Sequence, residues 1–259
     1  MKYIVCIKQV PSTNEVRLDP ETHAIIRDGR QSVINPFDLY AVELAKELRE
    51  KTGGTVTAVS MGIPATERLL RECISRGADD AVLISDRAFA GSDTLATSYA
   101  LSIGIQKTGM PDLVLCGKMA VDGDTAQIGP ELAATLGIHH VTDVKAVLGI
   151  TESDITVEKA TETGTFVEQV SFPAVLTVVK DIVQPGLPSI KGVRKSLAAP
   201  FTVLNAKAAE ADTERTGFAG SPTTVVRTFT PEGKTGAEEI TGSTPEKALF
   251  ILDRIKEVR

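Results

Sequence analysis

The residues best suited to chemistry lie together between Gly117 and Pro130: Gly117, Lys118, Met119, Ala120, Val121, Asp122, Gly123, Asp124, Thr125, Ala126, Gln127, Ile128, Gly129 and Pro130. Asp122, Asp124, Thr125 and Gln127 offer carboxylate, hydroxyl and amide groups able to orient a sugar or a base. Gly117, Gly123 and Gly129 let the backbone approach a ligand closely or take positive φ. Backbone amides at the start of a helix hold phosphate, helped by the positive end of the helix dipole. This is the chemistry of nucleotide binding, with no acid, base or nucleophile set out for bond breaking. On residue types alone, a plain capped turn accounts for the same stretch equally well.

Such a stretch needs a strand before it and a helix after it. The apolar run Leu113-Val114-Leu115-Cys116 predicts the strand, and Leu132, Ala133 and Leu136 take up helical spacing. Pro130 places the start of the regular helix near itself. In an open parallel sheet, ligands bind at the carboxyl ends of strands, where this junction would lie.

The rest of the N-terminal half repeats the alternation. Tyr3–Val10 is an apolar run fit for a central strand, and Ser12–Val33, with turn residues at Asp19-Pro20 and Asp28-Gly29, predicts a small hairpin excursion. Asn35-Pro36-Phe37-Asp38 predicts a helix start, with Asn35 as cap, Pro36 at the first position and Asp38 near the positive end. Phe37, Ala41, Leu44, Ala45 and Leu48 form one stripe along it. Val56–Met61 is a second strand, followed by a helix with Leu69, Leu70, Cys73 and Ile74 inward. Ala81–Ile84 is a third, followed by a helix from Gly91-Ser92-Asp93 to about Gly109 with Leu95, Tyr99 and Ile103 inward. These repeats predict an α/β fold: a doubly wound, mainly parallel sheet with helices on both faces.

Beyond Ile138, Val141–Ile150, Ile155–Lys159, Phe166–Phe172 and Val175–Val179 are strand-like and closely spaced, predicting antiparallel or mixed additions to the sheet. Residues 181–200, rich in proline and glycine, predict an exposed loop with Leu187 at its tip. That leucine is either a docking knob or a side chain folded back on its own domain. After Ala206 the chain turns polar; Val225–Phe229 is extended, and Pro245–Val258 is a helix with Ala248, Leu249, Leu252 and Ile255 at helical spacing. The expected organisation is an α/β domain over residues 1–205, including the loop 184–195, and a C-terminal arm over residues 206–259.

Composition narrows the class. A net charge of −6 and 42% apolar residues fit a globular protein, and no basic stripe points to nucleic acid. No apolar run is long enough to span a bilayer or to form a signal-peptide core, so a cytoplasmic location is expected. Cys6, Cys73 and Cys116 are isolated and lack the paired spacing of zinc or iron–sulfur sites. Adjacent His139 and His140 would point to opposite faces of a strand, the wrong arrangement for one metal ion.

Six segments, in order, are similar to the β subunit of electron transfer flavoproteins over essentially the whole chain. They are Val5–Pro11, Asn35–Asp38, Arg76–Asp79, Gly117–Gly129, Phe172–Thr177 and Leu187–Ile190. The resemblance implies a heterodimer with an α subunit that carries its own FAD, and a C-terminal arm wrapped on that partner. It implies nucleotide contacts at Cys6, at Asn35, Pro36, Phe37 and Asp38, at Met61, and along Gly117–Ile128. It also places Leu187 where the family has a partner-recognition leucine that docks on an acyl-CoA dehydrogenase. No catalytic residue of the chain's own is implied.

The family has two branches. Simple carriers hold structural AMP in the β site; the bifurcating branch holds a second FAD, takes a hydride from NADH, and sends electrons to ferredoxin or flavodoxin and to a flavin dehydrogenase. Val121–Gln127, Ser92–Thr97 and Gly220–Thr223 resemble the bifurcating branch. That likeness implies that Asp122 and Thr125 bond ribose or pyrophosphate, with Ser221 and Thr223 close to the flavin end. Met119 departs from the family's usual glutamine, which puts any role of that amide in doubt. A stand-alone nucleotide-binding regulatory protein on the same scaffold is the reading from another class.

Overall fold

The computed structural model describes residues 1–12, 32–226, 236 and 239–257. Most of the expected hairpin excursion, and residues 227–229 of the expected extended stretch, lie outside the described residues. The chain divides into two compact units, Met1–Val225 and Val226–Arg259.

In chain order the first unit contains β1 (Lys2–Cys6), β2 (Gln9–Pro11), β3 (Ser32–Ile34), α1 (Pro36–Thr52), β4 (Thr55–Met61), α2 (Glu67–Arg76), β5 (Asp80–Ile84) and α3 (Thr94–Thr108). It continues with β6 (Leu113–Gly117), α4 (Ile128–Leu136), β7 (His139–Ile150), β8 (Asp154–Thr161), β9 (Gly164–Ser171), β10 (Ala174–Val178), α5 (Ile190–Ala198) and β11 (Phe201–Leu204). Nine strands form one sheet in the order β11-β5-β4-β1-β6-β10-β7-β8-β9. From β11 to β7 all neighbours run parallel, and β8 and β9 are added antiparallel. The doubly wound expectation therefore holds, as do the antiparallel additions.

The period-two alternation of a strand sends successive side chains to opposite faces. Tyr3 and Val5 of β1 join Leu113 and Leu115 of β6 in a core under α1 and α2, where Ala41, Leu44, Leu48, Leu69, Leu70 and Ile74 pack. Ile4, Cys6, Val114 and Cys116 face the other way, onto Ala100, Leu101 and Ile105 of α3 and Leu132 and Ala133 of α4. All three cysteines are buried. His139 and His140 are both exposed neighbours on β7.

Several expectations change. The first strand ends at Cys6, and Gln9–Pro11 instead pairs antiparallel with Ser32–Ile34 in a separate two-stranded sheet. The break falls at Lys8, whose amide is taken by the Asp38 side chain and whose carbonyl accepts from the Asn35 amide. Leu95 is half exposed, because Ala96, Tyr99, Ala100 and Leu101 take the inner side of α3. The expected loop 184–195 becomes helical from Ile190, where Ser189 accepts a capping bond from the Gly192 amide. α4 begins at Ile128, with Pro130 in its first turn, where a missing N–H costs little. β11, unforeseen, is a short edge strand after Pro200, with two of its four residues exposed.

The second unit contains α6 (Thr244–Glu257), close to the expected terminal helix. Its Leu249, Leu252 and Ile255 are each half or more exposed.

Candidate functional site

The chain leaves β1 toward β4 and β5 and then returns to the opposite side of β1 as β6. That reversal is a topological switch point: the helices that follow the two strands, α1 and α4, pack on opposite faces of the sheet, and in such folds ligands bind at this edge. Cys6, Met61 and Gly117 end β1, β4 and β6 at this edge.

Asp38 ties the edge together from beneath. Its carboxylate accepts from the Lys8 amide at 2.7 Å, from Asn35 Nδ2 at 2.9 Å and from the Gly117 amide at 3.2 Å. One side chain thus joins the segments that follow β1 and β6 to the start of α1. It is fully buried, and burial pushes its carboxyl up to about 7 against the pull of those hydrogen bonds. Gly117 has to be glycine, since a Cβ there would strike Asp38 Oδ1 and the Phe37 backbone.

Asn35 does not cap α1; its side chain makes no capping bond. Instead its amide spans the loop after β6, donating to the Met119 carbonyl at 2.9 Å and accepting from the Val121 amide at 3.2 Å. Lys118 pairs with Asp143 at 2.6 Å, and Asp122 pairs with Lys8 at 2.5 Å. The carboxylate expected to face ribose is therefore turned to a lysine. Because Asn35 meets Met119 through its carbonyl, this contact does not depend on which side chain stands at 119.

From Gly123 to Gln127 the loop is exposed. The amides of Gly123 and Asp124 both donate to the Ala120 carbonyl, and Asp124 and Ala126 take left-handed φ of 51° and 54°. α4 follows, its first turn pressed on β10 so closely that a Cβ on Gly129 would strike the Thr177 methyl. Asp124, Thr125 and Gln127 are the polar expected site residues of this loop that face outward, ahead of a helix start. Pro36 and Phe37 form the first turn of α1 below them.

Ser221 and Thr223 are brought to the start of α3. The Asp93 amide donates to Ser221 Oγ at 2.8 Å, and Thr223 donates from its hydroxyl at 2.8 Å and its amide at 3.2 Å to the Asp93 carboxylate. Burial would raise the Asp93 carboxyl, but the Ala96 amide and Thr223 outweigh it and hold it below the usual range. Thr94 and Ser98 of α3 reach Glu131 of α4, so the two helix starts are joined. Leu187 lies elsewhere, on the α1 and α2 side. It is 90% exposed, and its neighbour Gly186 is pinned by Glu43 and Arg76.

The sequence reading passed over Lys8, Asp93 and Asp143 as site residues. Asp93 carried the clearest signal, a capping type directly before a helix. Lys8 carried a weaker one, a charge inside the apolar run Tyr3–Val10. Among the described residues, no group of three His, Cys, Asp or Glu side chains is placed to hold a metal ion, and no helix is long and apolar enough to cross a membrane.

A doubly wound sheet whose switch point carries a pinned loop, an exposed glycine-containing turn and a helix start defines an α/β protein of the doubly wound class, with its candidate ligand site at the carboxyl ends of the strands. Residues 22–209 match the family model of the electron transfer flavoprotein domain. The chain is 45% identical over 256 residues to an electron transfer flavoprotein subunit beta of Thermoanaerobacterium thermosaccharolyticum, covering 98% of each. It is 42% identical over 259 residues to the caffeyl-CoA reductase-Etf complex subunit CarD of Acetobacterium woodii, covering 99% of this chain and 98% of that one. Protein FixA of Azotobacter vinelandii is 42% identical over 246 residues, covering 93% and 88%. The chain belongs to the electron transfer flavoprotein family, and it aligns nearly end to end with its β subunits.

Proposed function

We propose that this chain is the β subunit of a two-flavin electron transfer flavoprotein: its site binds FAD, and its complex with an α subunit oxidises NADH. The complex passes electrons to a ferredoxin or flavodoxin and, through the α-subunit FAD, to a dehydrogenase of acyl-CoA type. The observation that carries the reading is the Gly123–Gln127 turn, exposed at the switch point and backed by a loop held through the side chains of Lys118 and Asp122 and the backbone of Met119 and Val121. The residues fit an adenine dinucleotide: Gly123 is open apart from Lys8 Nζ at 3.7 Å from a built Cβ, so backbone can meet phosphate there. Thr125, Gln127 and Asp124 would hold the sugar and phosphates, while Cys6 and Met61 sit at the strand ends below. Ser221 and Thr223, gathered on Asp93, would flank the far end of the ligand.

A bound flavin supplies hydride and single-electron chemistry; the protein's part is to hold, orient and shield it. Similarity to a subunit of a caffeyl-CoA reductase complex supports an acyl-CoA-type partner. The test is the nucleotide released by denaturing the co-purified heterodimer. Two FAD and no AMP are expected; one FAD with one AMP would make the complex a simple carrier, and a stably folded monomer of this chain without any α subunit would favour a stand-alone nucleotide-binding regulatory protein.

A further inference from the structure

Resting on the nucleotide-binding reading and deepening it, we propose that the Lys8–Asp122 ion pair is a positioning latch for the nucleotide loop, with Asp122 acting through Lys8 rather than as a ribose ligand. Lys8 is rooted at both sides of its backbone: its amide donates to Asp38 Oδ2 at 2.7 Å, and its carbonyl accepts from the Asn35 amide at 2.9 Å. From that fixed base, Nζ reaches Asp122 Oδ1 at 2.5 Å across 114 positions of sequence. The Asp122 side chain is only 6% exposed, against 41% for Lys8. A carboxylate so withdrawn from water is poorly placed to take ribose hydroxyls, and removal of the Lys8 ammonium costs it an ion pair.

The position of Asp122 explains what the pair holds. It is the last shielded residue before the exposed turn, after the ties that Lys118 makes to Asp143 and Asn35 makes to Met119 and Val121. Immediately beyond it come Asp124 and Ala126, two residues with a side chain in the left-handed region. Such residues stay there only where their surroundings hold them. The latch is the hold nearest to them on the β1 side. Its loss frees the turn to relax, so ligand affinity falls although no ligand contact has been removed.

The test uses the heterodimer stripped of nucleotide and titrated with FAD, and separately with AMP, by calorimetry; the α-subunit site serves as internal control. Lys8→Met and Asp122→Asn are each expected to weaken the β site about tenfold, corresponding to about 1.4 kcal/mol. The double variant should be no worse than either single one, Lys8→Arg should retain affinity, and the exchanged pair Lys8→Asp with Asp122→Lys should recover part of it. The thermal midpoint of the complex should stay unchanged in Lys8→Arg and in the exchanged pair, which separates a latch from general damage. Loss in Asp122→Asn with wild-type affinity in Lys8→Met, or fully additive losses, would overturn the latch while leaving the nucleotide site standing. Absence of any β-site binding in the unmutated complex would overturn both.

Discussion

Asp38 shows how one buried side chain ties the candidate site to stability. Its carboxyl is pushed from an ordinary 3.8 to about 7 by burial. The unfolded carboxyl ionises above its ordinary value, whereas the folded one keeps its proton until near 7, so in that interval the folded state binds more protons. The contribution of this group to stability is therefore greatest at low pH and falls as pH rises through the interval, by about 4 kcal/mol at most. Asp38→Asn should flatten that slope. It should also cost about 1–3 kcal/mol, because an amide has one acceptor oxygen for three donors and leaves one unpaired. Urea midpoints of the complex at about pH 5 and about pH 8 check both: the unmutated complex should lose stability between them through this group, and the variant should lose less.

Among the elements, α3 is the one whose start serves two ends. Asp93 caps it by accepting from the Ala96 amide at 3.1 Å, and it also holds Thr223. The charge adds to this by lying at the positive end of the helix. Asp93→Ala should lower stability by about 1 kcal/mol, as the loss of a cap does. It should also loosen residues 221–223, seen as faster amide exchange at Thr223, whose N–H donates to the lost carboxylate. Unchanged exchange there would mean that the segment is held by Ser221 alone, through its bonds to the Asp93 amide and the Gly217 carbonyl.

At the scale of the whole molecule, the proposed nucleotide site and the exposed Leu187 are built on different elements of the first unit. The proposed site belongs to the ends of β1 and β6 and the start of α4, whereas the segment that bears Leu187 is held through Gly186 by Glu43 of α1 and Arg76 of α2. Binding and docking should therefore separate by mutation. Leu187→Ala, at a side chain that is 90% exposed, should change stability by no more than about 0.5 kcal/mol and leave nucleotide content intact. Electron delivery to an acyl-CoA-type dehydrogenase should fall in the same variant, measured as dehydrogenase-coupled turnover of the complex. Turnover equal to the unmutated complex would remove Leu187 from the docking surface.

Much of this was legible from residue order. The apolar runs at 3–10, 56–61, 81–84 and 113–116 and the helical stripes between them pointed to the parallel sheet, because burial on both faces leaves a continuous apolar signature, although the first of them proved shorter. The glycine-containing stretch 117–130 announced its place after a strand. The short edge strand 201–204 and the helix 190–198 were not legible: the strand is only four residues long and half exposed, and the helical spacing of Ile190, Val193 and Leu197 lies in a stretch whose prolines and glycines point to a loop. Nor were the partners of the polar residues. Asn35, Asp38 and Asp122 have the same types whether they meet a ligand or the protein, and their roles were decided only when folding brought 8, 35–38 and 117–122 to one edge. Long-range pairing of this kind depends on sheet order and crossover, which local sequence does not encode.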